Sequence, residues 1–359
     1  MTINSPSRIR FGIIGAGAIG AVHMETLNKL GDVAELSAVT DTYLPLAEKR
    51  AEEHSIKTVH VSPEALIADP DIDAVIVAVP NQFHAPLTIA ALEAGKHVLL
   101  EKPMAISSAK AKEIVDAQQR TGKTVMIAQQ MRFTGLSRAV KALIDEGALG
   151  RIYNIKTGWL RKKGIPGWGS WFTQMEMAGG GPLIDIGVHM LDLSLHLVDS
   201  PKPISVFGTT YSEFGPHKRG IGTWGTPNWD GKYNVEDLAT ALIKLDNGAT
   251  LSLDVSWAAH AADLTDEPFI HLMGTEAGVS IIGNKATLVK HENDEVVKQA
   301  VEPLDSVNER ELVARHFITS IHEGTMPISS VISGYTNNRI LDAIYESSSN
   351  GSEVKLSWD

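Results

Sequence analysis

The sequence predicts an α/β protein of two domains: a doubly wound domain with a parallel sheet over residues 1–130, then an α+β domain with a mainly antiparallel sheet over residues 131–359. Three observations carry this. In the first third of the chain, short apolar runs alternate with helical segments at the spacing of βαβ units, which demand right-handed crossovers and a parallel sheet. One of the intervening turns is Gly15-Ala16-Gly17-Ala18-Ile19-Gly20, set between a strand and a helix. Beyond residue 130 strands follow one another with few helices between them, and Asp246-Asn247-Gly248 separates two alternating runs, a strong hairpin signal. A chain of 359 residues exceeds the usual size of one core and fits two.

The elements follow in order. Arg8 to Ile14 reads as a buried strand, and the glycine-rich turn opens a helix running to about Gly31. Glu35 to Thr40 is a strand ending at Asp41, the segment from Pro45 to His54 a helix, and Ile56 to His60 a short strand. Ser62-Pro63-Glu64 starts a helix, with Pro at its first position. Asp73 to Val79 is a strand stopped by Pro80, Pro86 to Ala94 a helix closed by Gly95, and His97 to Leu100 a strand running into Glu101-Lys102-Pro103. Helix over Ser107 to Thr121 and strand over Val125 to Ala128 complete the first domain. In the second, a helix from Leu136 to Glu146 leads to a long strand, Arg151 to Leu160. The hairpin pairs Ala239 to Leu245 with Thr250 to Trp257, and a last helix covers Ser329 to Ser348.

Composition narrows the function. With 32 Lys+Arg against 43 Asp+Glu the formal charge is −11, which argues against nucleic acid or an anionic membrane as the main partner. The absence of cysteine excludes disulfides, thiolate zinc sites and Cys nucleophiles. The apolar stretch from Phe11 to Val22 is too short for a membrane span and contains four glycines, and no export signal is read, so a cytoplasmic location is expected.

The glycine-rich turn with Asp41, 21 residues past its third glycine, has the pattern of a dinucleotide site. Gly15 allows the turn, Gly17 lets the backbone approach a pyrophosphate, Gly20 lets the helix pack, and the helix N-terminus at Ala18 and Ile19 faces the negative charge. Asp41 would accept hydrogen bonds from an adenosine ribose and repel a 2′-phosphate, which favours NAD over NADP. Its plainer reading is a turn residue after a strand. The loop Pro80-Asn81-Gln82-Phe83-His84 closes the next strand at the same sheet edge, where it would face the nicotinamide half of the cofactor, although Asn81 and His84 also suit helix capping. Lys102 is a titratable amine at a strand's carboxyl end, where open α/β sheets bind ligands; the bland alternative is a surface amine. Lys102-Pro103 is a candidate cis bond.

Taken together, the strand with its GxGxxG and Asp41, the Pro80–His84 loop and above all Glu101-Lys102-Pro103 resemble the Gfo/Idh/MocA family of NAD(P)-dependent oxidoreductases, which includes inositol and glucose-fructose dehydrogenases. The resemblance extends over the whole chain. It implies a Rossmann domain followed by a domain built on a large open sheet, and it makes Lys102 a catalytic residue beside nicotinamide and substrate. Glu101, Gln129 and Arg132 are candidate cofactor contacts at the same edge, with no catalytic role for Glu101.

In the second domain, Gly179-Gly180-Gly181-Pro182 precedes Asp185 and His189, which are four apart and share a helix face. A sugar-oxidising member of the family carries Asp-x-x-x-His in this place, so the resemblance brings Lys102, Asp185 and His189 to one hydroxyl. His189 would take its proton, Lys102 would hydrogen-bond the oxygen, and Asp185 would orient the substrate or Lys102. Asp192 and His196 continue the stripe, whose ends lie about 16 Å apart by helix rise, too far for one metal ion, and no metal is expected. Trp159, Arg161, Trp168 and Trp171 lie in or beside a loop placed to wall a sugar pocket, with Trp224 and Trp229 in the next glycine-rich loop. Each tryptophan is equally a core or subunit-contact residue. Arg161, Lys162 and Lys163 either bind an anionic group or form a solvated turn.

The expected protein is an NAD-dependent dehydrogenase, a homodimer or homotetramer, that oxidises a ring secondary alcohol of an inositol, pyranose sugar or glycoside. The alternatives are an NAD-recycling glycosidase of the same family and a non-catalytic, dinucleotide-responsive binding or regulatory protein.

Overall fold

A computed structural model, which describes residues 8–262 and 265–358, divides the chain into two compact units. The first takes the chain up to Ala105, then Ala109–Phe133 and Val307–Tyr335; the second takes Ile106–Ser108, Thr134–Ser306 and the chain from Thr336 on. Apart from Ile106–Ser108, the chain first passes from the first unit to the second after Phe133. The assignment of everything after it to the second domain is corrected, because residues 307–335 return to the first unit.

The first unit contains β1 (Ile9–Ile14), α1 (Ala18–Lys29), β2 (Ala34–Thr40), α2 (Leu44–His54), β3 (Thr58–Val59), α3 (Pro63–Ala68), β4 (Ala74–Val77), α4 (His84–Glu93), β5 (His97–Leu100), α5 (Ser108–Thr121) and β6 (Val125–Ile127). The six strands pair in parallel in the order β3-β2-β1-β4-β5-β6. Every residue of β4 and β6 is buried, as continuous apolar runs with both faces covered require. Met24 and Leu27 of α1 and Leu30 at its end share one cluster with Phe11 and Ile13; Leu66, Leu92 and Ile114 share another with Val75 and Val98. Helix α4 starts at His84, two residues ahead of expectation, because a 3-10 turn over Asn81–Phe83 runs straight into it.

The second unit opens with α6 (Gly135–Asp145), capped by Thr134, whose hydroxyl accepts the Ser137 N–H at 3.1 Å. Then come β7 (Ile152–Leu160), α7 (Met175–Ala178), a π-helical turn over Leu183–Gly187, α8 (Val188–Leu197), β8 (Pro203–Tyr211), β9 (Leu238–Leu245), β10 (Thr250–Ser256), β11 (Pro268–Gly274), β12 (Ala277–Ile282), β13 (Lys285–Glu292) and β14 (Glu295–Val301). After these follow α9 (Glu309–Glu323), α10 (Val331–Asn350) and β15 (Val354–Lys355). The nine strands form a sheet ordered β14-β13-β12-β11-β7-β10-β9-β8-β15, antiparallel except where β7 meets β10. The hairpin forms as expected, with Gly248 at φ +85° closing it. Leu251, Leu253 and Val255 are buried on one face, while Tyr153, Phe207 and Leu242 are exposed. No helix among the described residues is long and apolar enough to cross a membrane.

Helix α9 belongs to the first unit because its apolar face does. Val313, Ala314, Phe317 and Ile318 enter the cluster of β1 and α1, with the Phe317 ring 6.2 Å from that of Phe11, and Arg315 pairs with Asp32. Just beyond, the Ile127 N–H donates to the Ser329 carbonyl at 2.9 Å and Ser330 bridges Met126, which covers the open edge of β6.

Candidate active site

The strand order of the first unit reverses direction between β1 and β4, the switch point beyond whose carboxyl ends open α/β sheets bind ligands. Gly15 sits there at φ +104°, where a Cβ would lie 2.2 Å from the Ala78 carbonyl oxygen, and a Cβ on Gly20 would lie 2.0 Å from the Gly15 oxygen. A Cβ on Gly17 would meet nothing within 4 Å. That open floor lies at the start of α1, where Ala18 is exposed, Ile19 is partly buried and the first N–H groups have no partner within the helix. Asp41, at the end of β2, accepts the Ala16 N–H at 2.7 Å and the Tyr43 N–H at 2.8 Å, one on each oxygen. Each oxygen keeps a further lone pair for a ribose hydroxyl. Gln129, past β6, is 2% exposed, and its side-chain oxygen has no hydrogen-bond partner among the described residues. An open anion cradle, an acid with spare acceptor capacity and an orphaned amide oxygen fit a dinucleotide.

At the same edge Pro80 opens the turn that buries Asn81, and the chain leaving β5 reaches partly buried Lys102, whose bond to Pro103 is cis. Two of the expected cofactor contacts, His84 and Glu101, have partners inside the protein. His84 is 1% exposed, its Nδ1 lying 2.7 Å from the Pro103 carbonyl oxygen and its Nε2 2.9 Å from that of Val79, so the ring is spent on backbone. Burial lowers its pKa, against the pull of those carbonyls and of Glu101. Glu101 is buried with Oε1 2.7 Å from His23 Nε2 of α1. Burial favours its neutral form, but the hydrogen bond and charge of His23, with Lys102 and Arg310 adding to them, hold its pKa at about 2. Arg132 is buried and donates to the Ile328 carbonyl at 2.5 Å.

The second unit brings together Trp159, Arg161 and Asp185, and adds Trp257. Asp185 lies in the π turn and His189 in α8 directly after it, partly and almost fully buried respectively. Trp257, just past β10, donates its indole N–H to Asp185 Oδ2 at 3.0 Å. The Arg161 guanidinium lies 4.2 Å from the Trp159 ring centroid, and its backbone is tied to Ser256 at both N–H and carbonyl. Burial lowers the Arg161 pKa, while the carboxylates of Asp185 and Asp266 oppose that shift. Asp192 accepts a hydrogen bond from Asn337 at 2.8 Å, which gives it a packing role.

Glu236 fixes the start of this helix. Its buried carboxylate accepts the Gly181 N–H at 2.9 Å, the Leu183 N–H at 3.0 Å and the Tyr345 hydroxyl at 2.9 Å, satisfying donors that a helix N-terminus leaves open. Burial pushes its pKa up against these bonds. Burial and Glu236 together push the Tyr345 phenol up, so it stays a donor.

The tryptophans expected beside a sugar pocket lie as follows. Trp168 is 5% exposed, donates its indole N–H to the Gly215 carbonyl at 2.7 Å and stacks beside Tyr233 and Trp229, in the packing between two loops. Trp171 packs on Phe172, which meets exposed Trp224 edge-on. These two loops zip together through Gly167 N–H to Trp224 carbonyl and Asn228 N–H to Trp168 carbonyl. Lys162 and Lys163 are exposed, as a solvated turn would have them.

Residues 9–129 match a family described as an oxidoreductase family with an NAD-binding Rossmann fold, and residues 137–288 match the GFO/IDH/MocA C-terminal domain. The chain is 32% identical over 352 residues to D-glucoside 3-dehydrogenase of Escherichia coli (strain K12), covering 98% of both chains. It is 26% identical to scyllo-inositol 2-dehydrogenase (NAD(+)) of Bacillus subtilis (strain 168), covering 97% of this chain and 96% of the other. Levoglucosan dehydrogenase solved with NADH and levoglucosan superposes with a TM-score of 0.86 at 25% identity, over 97% of this chain and 99% of that one. With both domains matched in order over most of its length, the chain belongs to the Gfo/Idh/MocA family of oxidoreductases.

Proposed function

We propose that the protein is an NAD-dependent dehydrogenase that oxidises a ring secondary alcohol of a pyranose sugar, glycoside or inositol to the ketone. The observation that carries this reading is the near full-length likeness to D-glucoside 3-dehydrogenase, which puts the 3-hydroxyl of a D-glucoside first among the substrates. The Asp41 carboxylate favours NAD over NADP, because a 2′-phosphate beside it would be repelled. Bound NAD supplies the hydride acceptor. Lys102 donates an N–H to the hydroxyl oxygen and steadies it as it becomes a carbonyl. His189 takes the hydroxyl proton on Nε2, its Nδ1 being sealed in the interior. Asp185, held by Trp257, orients the sugar, and Trp159 with Arg161 forms the side of the site next to it. The exposed Tyr153, Phe207 and Leu242 belong to the contact between copies of a homodimer or homotetramer.

Mixing the protein with NAD and a panel of methyl glucosides, free sugars and inositols tests the reading through reduced nicotinamide. NADH in amounts equal to the ketone formed is expected. Release of the methanol aglycone with no lasting NADH, or bound NAD without turnover on any of these alcohols, would contradict it.

A further inference from the structure

Lys102 is bracketed by two buried histidines from different helices. On one side Glu101 is anchored through Oε1 to His23 of α1 at 2.7 Å, while its Oε2 lies 3.3 Å from the Lys102 N–H. On the other, the Pro103 carbonyl oxygen lies 2.7 Å from Nδ1 of His84, whose Nε2 reaches the Val79 carbonyl at 2.9 Å. His84 thus joins the segments that follow β4 and β5, and His23 joins the end of β5 to the helix of the glycine-rich turn. Both rings are almost fully buried, 4% and 1% exposed, so neither is placed to take part in the chemistry itself.

We propose that His23 and His84 are positioning residues that set the direction of Lys102, His23 through the Glu101 carboxylate and His84 through the Pro103 carbonyl. The backbone on either side of Lys102 is thereby fixed to two helices and an adjoining strand end, and the amine is presented from a rigid base. The proposal rests on the assignment of Lys102 to the reaction, since only a reacting group gains from such placement; misplacing one by about 1 Å costs on the order of a hundredfold in rate.

The test compares His84→Leu, His84→Gln, which keeps an amide donor, and His23→Gln with a control, His60→Gln, whose ring pairs with Asp69 at 3.0 Å in the same unit. Three quantities are read: kcat against KM, NADH affinity by fluorescence, and the rate at which limiting acetic anhydride acylates Lys102, followed by peptide mass. For His84→Leu the expected result is a fall in kcat of about tenfold or more, with KM and NADH affinity nearly unchanged and a changed acylation rate at Lys102 alone. His84→Gln recovers part of the loss, and His23→Gln, which keeps a donor toward Glu101, shows the same split in milder form. If His84→Leu does not fold, the two glutamine variants carry the comparison. Acylation and kcat at wild-type values in every folded His23 and His84 variant, or losses matched by His60→Gln, would overturn the proposal. Lys102→Ala separates the two claims: full turnover in that variant removes Lys102 from the chemistry, while a changed acylation rate in the histidine variants still upholds the positioning.

Discussion

Asp185 draws its geometry from Trp257, 72 residues away in sequence. Trp257→Phe removes the N–H together with the smaller ring of the indole, in a slot that is fully buried. A hydrogen bond to a charged group contributes about 1.5–3 kcal/mol, so kcat/KM of the folded variant is expected to fall about 10- to 100-fold, while the cavity left by the smaller side chain lowers the melting temperature as a separate effect. Unchanged steady-state kinetics would detach Asp185 from the reaction. At the cofactor end, Asp41→Ala removes the carboxylate that opposes a 2′-phosphate. The ratio of kcat/KM for NADP to that for NAD is expected to rise, and an unchanged ratio would show that Asp41 does not set the preference. Residue type and spacing made the turn of Gly15, Gly17 and Gly20 and the acid after β2, Asp41, legible, because a local turn fixes them, whereas Lys102, Asp185 and His189 stood out through the family resemblance. The direction of His84 was not legible: a histidine at a helix start caps, binds or bridges according to what the next loop brings to it, and that loop lies 19 residues on. Glu236 escaped for the same reason, since the N–H groups it accepts are 55 and 53 residues away.

The elements themselves followed the sequence closely where their signals are local. The turn at β1–α1 can be taken apart by two substitutions with opposite signatures. Gly17→Ala places a methyl in open space, so the fold is expected to keep its stability while NADH binding weakens. Gly20→Ala drives a methyl to 2.0 Å from the Gly15 oxygen, and such overpacking is expected to cost about 1–3 kcal/mol or more in urea unfolding. Equal stability losses in the two variants would contradict the assignment of Gly17 to the cofactor floor. Helix α9 shows what local pattern cannot supply. Its amphipathic face is readable, but which sheet receives that face depends on Phe11 and β6, roughly two hundred residues or more earlier in the chain, as the 202-residue separation of Ser329 and Ile127 illustrates.

For the whole molecule, acid is the condition that separates the fold from its buried charges. Burial and Lys123 lower the His97 pKa from 6.5 to about 4, and its Nδ1 accepts the Thr124 N–H, so the native state holds it neutral. The unfolded chain takes up that proton first as pH falls, and the stabilisation is lost between 6.5 and about 4. Glu101, held at about 2 against an ordinary 4.5, contributes stability above 4.5 that disappears as pH falls toward 2. Burial raises the pKa of Glu236 and of Asp342, which act in the opposite sense. Urea midpoints of the wild type and His97→Gln compared across pH isolate the first effect: the wild type's advantage is expected to shrink as pH falls from neutral, and an advantage that grows on acidification would have the sign wrong. The most direct measurement for the reaction is NAD reduction by a methyl glucoside in Lys102→Ala and His189→Asn, with NADH affinity measured in the same samples. The expected result is retained NADH binding with turnover lowered about 10²- to 10⁴-fold in each; turnover at the wild-type rate in either would contradict the roles given to Lys102 and His189.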